Sequence, residues 1–251
     1  MVPGSYVVGL VGVSLLLPSF ALAETSAGAV PERRMANANF CTRIDTVTSK
    51  VTSGIVDRET KYHGKRAENR TKLNERFGAR DLRRVENRSE WDGKREEWRT
   101  KLGDKATTPE QKAAVEAFIK GMDTAIATRR SAVDGAVKEF RAGLDAAIIA
   151  RQSAVDSAVA TLKQESELAV AKAKADCTSN VDPKTVRETY VTALKSAREK
   201  FRTAVKALDA RKDTLQPLAN ARKLAIEKAV ADFKTTTEQL KLKLKEAMVT
   251  N

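Results

Sequence analysis

An all-α fold, an elongated antiparallel up-down-up three-helix bundle or coiled coil with long helices, follows from three observations. The first is composition. Of 251 residues, 31% are charged and 41% hydrophobic but only 5% aromatic, with just 12 glycines and six prolines. Ala, Lys, Arg and Glu dominate, the strongest helix formers, and no alternating β-type run occurs. The second is an eleven-residue spacing: Met122-Asp123, Val133-Asp134, Leu144-Asp145 and Val155-Asp156, each followed four residues later by Ile126, Val137, Ile148 or Val159. Eleven residues make almost three helical turns, so the apolar stripe hardly drifts along one helix. The third is a pair of breaks with the same chemistry, Thr108-Pro109 and Asp182-Pro183. In each, a capping side chain precedes a proline at the first helical position.

The chain begins with an uncharged apolar run, Tyr6 to Leu17, broken by Pro18 and followed by Ala21-Leu22-Ala23. This predicts a signal peptide over residues 1–23, cleaved between Ala23 and Glu24, although residues 1–5 carry no Lys or Arg. The run falls short of the ~20 residues that span a bilayer, and no later stretch supplies them. The expected location is therefore secreted or extracytoplasmic, in the periplasm or at the cell surface, with no transmembrane segment after cleavage. Residues 24–38, with Gly28 and Pro31 and no periodicity, read as a flexible linker. Residues 39–251 form the helical body.

The first helix is expected over about 39–103. Its apolar stripe reads Ile44, Val47, Val51, Ile55, Tyr62, Leu73, Phe77, Val85, Trp91, Trp98 and Leu102. The stripe thins between Arg58 and Arg99. There, acid-first pairs such as Asp57–Lys61, Glu68–Lys72, Glu90–Lys94 and Glu97–Lys101 support the helix locally. After a turn, Thr108 and Gln111 form a capping box that opens the second helix, 109–177. Asp182 caps the third, 183–249, whose stripe runs from Val186 to Met248. Pro217 lies inside it and would clash with the carbonyl of Asp213, so a kink is expected. With the helix ends in register, Pro217, Gly143 and Gly78 fall at one height and predict a shared hinge.

Two cysteines stand at the same end of an antiparallel pair, Cys41 opening the first helix and Cys177 closing the second. In an exported protein this placement predicts a disulfide between them, the alternatives being free thiols or a bond between chains. Trp91 and Trp98, seven residues apart, share a helix face. They can pack on Val115, Phe118 and Met122 of the second helix and Leu240 and Leu244 of the third, or anchor a partner.

Charge is unevenly spread. Residues 39–105 hold 18 Lys/Arg against 12 Asp/Glu, residues 109–177 ten against ten, and residues 182–251 sixteen against nine. A neutral middle helix is the one expected to touch both neighbours. The formal charge of +13 suits acidic surface polymers or proteins as partners. Specific nucleic-acid recognition is not expected, because the basic residues are interspersed with acids and no recognition motif occurs.

Nothing in the inventory points to catalysis, a cofactor or a metal. His63 is the one histidine, no Cys/His spacing fits a metal, and no glycine-rich phosphate loop is present. The chain is expected not to be an enzyme. Asn69-Arg70-Thr71 and Asn87-Arg88-Ser89 fit the N-glycosylation pattern but lie inside a predicted helix.

Several resemblances attach to particular residues. Thr108-Pro109-Glu110-Gln111 is similar to the Leu-Thr-x-x-Gln motif of Spy-type chaperones, with Ala106-Thr107 in place of the leucine context. The signal, basicity and long charged helices resemble Skp-type chaperones, without their β-stranded trimerisation body. The eleven-residue repeat is similar to those of apolipoprotein-like lipid binders, except that its polar face carries equal acids and bases, which suits helix packing better than a lipid surface. Cys-Thr-Arg-Ile-Asp at 41–45, Lys-Ala-Lys-Ala-Asp-Cys at 172–177 and Val-Asp-Pro at 181–183 resemble uncharacterised secreted Ala-rich helical proteins of candidate-phylum bacteria. That resemblance implies no activity and transfers no site. The expectation is a secreted structural or binding coiled-coil protein of the cell envelope presenting basic helical faces to acidic partners. The alternatives are an extracytoplasmic holdase chaperone and a lipid- or polyanion-binding protein.

Overall fold

Four long helices and no strand make up the described part of the chain, residues 40–208 and 211–249 of the computed structural model. The expected signal peptide, its Ala23/Glu24 cleavage point and the 24–38 linker lie outside the described residues. A single 3-10 turn, Cys41–Arg43, leads into α1, Ile44–Gly103; α2 spans Pro109–Thr178, α3 Pro183–Ala207 and α4 Arg211–Val249. The third helix of the sequence reading is thus two helices. α3 closes where the Leu208 N–H turns to the Val205 carbonyl at 3.0 Å, a tightened bond that uses up a terminal acceptor. α4 restarts with Asp213 in its first turn, where the positive end of the helix favours an acid. Pro217 is consequently the seventh residue of α4, not the midpoint of one continuous helix.

The predicted boundaries rest on side-chain caps. The Thr108 hydroxyl accepts from the Gln111 N–H at 3.2 Å, while Gln111 Oε1 accepts from the Thr107 and Thr108 amides at 2.9 and 3.3 Å. These bonds satisfy donors that an uncapped helix start leaves open. At the other end of α2, Asn180 takes the left-handed conformation at φ 55°. Its N–H bonds the Cys177 carbonyl and the Val181 N–H reaches back to Asp176, the reciprocal pattern that closes helices at such a residue. Asp182 Oδ2 then accepts from the Thr185 amide and hydroxyl, each at 3.0 Å. The Thr185 amide bond in particular holds the Asp182 carboxyl below the usual carboxylate range.

The described chain divides into two compact units. The first combines residues 40–84 with 166–193, the second 85–165 with 194–249. In the first, Phe40, Ile44, Thr48, Leu73, Ala169, Ala173, Val186 and Tyr190 are buried, and the rings of Phe40 and Tyr190 lie 5.7 Å apart. The disulfide joins Cys41 to Cys177 there, with Cα atoms 5.5 Å apart across 136 positions of sequence. One turn further on, Lys174 pairs with Asp45 at 2.6 Å, so α1 and α2 run antiparallel in this unit.

In the second unit α2 meets α1 on one side and α3 and α4 on the other. Leu144 and Val155 are fully buried, Ile126 and Ile148 nearly so, while Met122, Val133, Val137 and Val159 are half-buried. Alanines 125, 136 and 158 of α2 form a second buried row at steps of eleven or its double. The same period governs contact with α4. Leu240 packs against Gly121 and Leu218 against Gly143, the two leucines being 22 residues apart and so the two glycines. Between them, the Arg129 guanidinium lies 4.3 Å from the Phe233 ring centroid and the Arg222 guanidinium 4.3 Å from that of Phe140. Each helix therefore contributes one Arg and one Phe, eleven apart, in reciprocal cation–π contacts. Descending α2 matches ascending α4, so these helices too are antiparallel.

Candidate binding surface

The residues of α1 that turn inward in the second unit are Arg88, Asp92, Arg95, Arg99 and Leu102, at steps of four and three. This is the spacing of a helix-packing seam, and most of it is charged. Both terminal nitrogens of Arg88 donate to Asp134 at 2.9 Å, and both of Arg130 donate to Asp92, at 2.6 and 2.9 Å. Arg95 adds a 2.6 Å contact to Asp92 and lies 3.9 Å from Asp123. Arg99 binds the same Asp123 and, at 3.1 Å, Glu96. The hydrogen bond from Arg130 is the main reason the Asp92 carboxyl sits below its ordinary range, and it outweighs the opposing effect of burial. Arg130 is raised in return, chiefly by Asp92.

This seam corrects the sequence reading of α1. Val85 and Trp91, assigned to the inward stripe, are exposed, Trp91 by 55%, and so is Leu82. No residue of 85–103 is fully buried. Trp98 is 38% exposed but sets its ring 5.6 Å from Phe118, while Trp91 carries only Lys94 over its ring at 5.2 Å. The two indoles therefore differ: Trp98 packs on Phe118, and Trp91 is exposed. Of the local pairs expected along α1, Glu68–Lys72 and Glu90–Lys94 form at 2.6 and 2.5 Å. Asp57–Lys61 and Glu97–Lys101 form none. The Lys72 hydrogen bond, with a second from Lys65, pulls Glu68 down to about 2.

The remaining singled-out residues are placed as follows. His63 is exposed, 4.0 Å from Glu59 and beside Tyr62. Gly143 and Pro217 come together, because Leu218, next to the proline, fills the space over Gly143. Gly78 belongs to the first unit, with nothing within 4 Å of the position its Cβ would take. Among the described residues no cluster of His, Cys, Asp and Glu could hold a metal ion, and no helix is long and apolar enough to cross a membrane.

Beyond the α1–α2 ladder, charge is distributed differently. Lys195, Arg198 and Lys206 of α3 and Lys234, Lys241, Lys243 and Lys245 of α4 are exposed, and none forms an ion pair among the described residues. Of the acids on these helices, Glu199 pairs with Arg202 at 3.7 Å and Asp232 with Lys228 at 2.8 Å, while Glu238 is exposed and forms no ion pair among the described residues. α1 and α2 neutralise each other inwardly, while α3 and α4 turn uncompensated positive charge outward.

Compared with known proteins, the chain matches no family model, and no curated protein and no solved structure is significantly similar to it. The functional reading therefore rests on the chain's own chemistry.

Proposed function

We propose that this chain is a secreted binding protein of the cell envelope, with α1, α2 and the α3–α4 pair arranged as an up-down-up three-helix coiled coil that offers its basic outer faces to acidic partners. The observation that carries this reading is the set of exposed, unpaired lysines and arginines on α3 and α4, beside a middle helix two of whose acids, Asp123 and Asp134, are paired with α1. Such a surface attracts acidic polymers or proteins at long range, and the attraction fades as salt shortens the Debye length to ~3 Å at 1 M. The absence of catalytic spacing in the sequence and the disulfide fit an exported binding or structural role.

The test is retention of the purified protein on immobilised poly-glutamate at low salt and at about 1 M salt. The reading expects strong retention at low salt, release at high salt, and weakened retention when Lys234, Lys241, Lys243 and Lys245 are all replaced by Gln. Retention unchanged by that replacement would reject α4 as the binding face; no retention at low salt would reject the reading outright.

A further inference from the structure

The outward side of α4 carries an apolar line that no described part of the chain covers. Leu224, Ala231, Leu242 and Val249 are all exposed, the three larger side chains by 65%, 61% and 71%. Their separations are seven, eleven and seven residues. At 3.6 residues per turn, eighteen residues close five full turns, so the four project from one side of the helix. Leu218 and Leu240, which fill the glycine gaps of α2, lie on the opposite side.

Lysines border this line along one edge. Lys223, Lys234, Lys241 and Lys245 fall about 60–100° around the helix from it on one flank, which also carries exposed Glu227 and Glu238 and so keeps an excess of positive charge. Lys223 reaches Glu227 only at 3.8 Å, and the other three form no ion pair among the described residues.

We propose that this face of α4 docks an amphipathic helix of another protein, one with apolar residues at matching spacing and acidic residues along its edge. Three arguments single out this occupant. The line is one residue wide, which fits the seam between two helices; a bilayer is met by an apolar face spanning about 100° or more. The lysine flank calls for opposite charge across the contact and penalises like charge. A second copy pairing antiparallel through the same face would set two edges with excess positive charge together, and a parallel copy would leave that excess opposite an edge of Lys228, Asp232, Lys243 and Glu246 whose charges already balance. The proposal rests on the reading that the basic faces receive acidic partners, and it adds the partner's shape.

The intact protein is immobilised and offered four probes: a synthetic helix with Leu at the seven, eleven, seven positions and Glu along its edges, the same helix with Lys edges, poly-glutamate, and phosphatidylglycerol vesicles. Circular dichroism confirms that each protein variant retains its helix content. The Glu-edged helix should bind and the Lys-edged one should not. Leu224→Gln with Leu242→Gln should weaken that binding by about tenfold or more, since two leucines lose their burial. Lys234→Glu, Lys241→Glu and Lys245→Glu together should reverse the preference to the Lys-edged helix. Binding of the Glu-edged helix that ignores the leucine changes overturns the proposal, as does capture of vesicles without capture of the helix. If poly-glutamate alone is retained, the docking proposal fails while the acidic-partner reading stands; if neither acidic probe is retained at low salt, both fail.

Discussion

Arg88 and Asp134 meet head-on, each terminal guanidinium nitrogen 2.9 Å from one carboxylate oxygen, at positions where a helix pair ordinarily sets leucines. The pair is half exposed, so solvent screens it and its net worth is modest. A double-mutant cycle of Arg88→Ala and Asp134→Ala in urea unfolding should give a coupling of about 0.5–1 kcal/mol that shrinks in high salt. Replacing both by Leu should leave stability equal or higher, because packed apolar side chains often match or exceed an ion pair in such a seam. Zero coupling at low salt would show that the pair contributes nothing to holding α1.

Asp92 makes the same interface sensitive to acid. Its carboxyl is depressed in the folded protein, first by the Arg130 hydrogen bond. A depressed acid adds stability that is complete above its unfolded value of about 3.9 and is lost as pH falls through the folded value. The urea midpoint of the native chain should therefore drop below about pH 4, and Asp92→Asn should drop less over the same interval while starting lower at neutral pH. A variant with the same acid dependence as the native chain would remove Asp92 from the account.

The helices were legible in the sequence because their signals are local. Thr108, Gln111, Asp182 and the two prolines mark starts by chemistry confined to one turn, and the eleven-residue row in α2 places Leu144 and Val155 in the core. The inward face of α1 was misread because apolar periodicity assumes that the buried face is apolar. Here Val85 and Trp91 face water while Arg88, Asp92 and Arg95 face α2. A signal was present: Arg88 and Arg99 stand eleven apart, as do Asp123 and Asp134, so one antiparallel register joins both pairs. The end of α3 at Ala207 is marked by no glycine or proline, so nothing in the sequence announced it.

The Cys41–Cys177 bond should be a large share of stability in the first unit. It closes a loop of 136 positions, and in the chain-entropy model so long a loop contributes about 5 kcal/mol by restricting the unfolded chain. Unfolding with and without reductant should differ by several kcal/mol, and Cys41→Ser with Cys177→Ser should reproduce the reduced curve. Thiol titration of the denatured, unreduced protein should find no free thiol. Coincident curves with and without reductant would contradict this.

The two glycines of α2 that face α4 should respond to alanine differently from one that faces nothing. Any Gly→Ala change inside a helix gains up to about 1 kcal/mol from the restricted unfolded chain and better helix propensity. At Gly135 nothing lies within 4 Å of the new methyl, so Gly135→Ala should stabilise by about 0.5–1 kcal/mol. At Gly143 the methyl would sit 2.7 Å from Leu218 Cδ2 and at Gly121 2.6 Å from Leu240 Cδ2, so the leucine must swing away or the helices part. Shifting the far end of a half-buried leucine takes back part of the propensity gain. Gly143→Ala should therefore stabilise clearly less than Gly135→Ala. Combining it with Leu218→Ala should cost less than the two changes added separately, because the shortened side chain makes room for the methyl. If Gly143→Ala stabilises as much as Gly135→Ala, α2 and α4 do not approach through these glycines, and the 22-residue repeat of Leu-on-Gly contacts is not what sets their spacing.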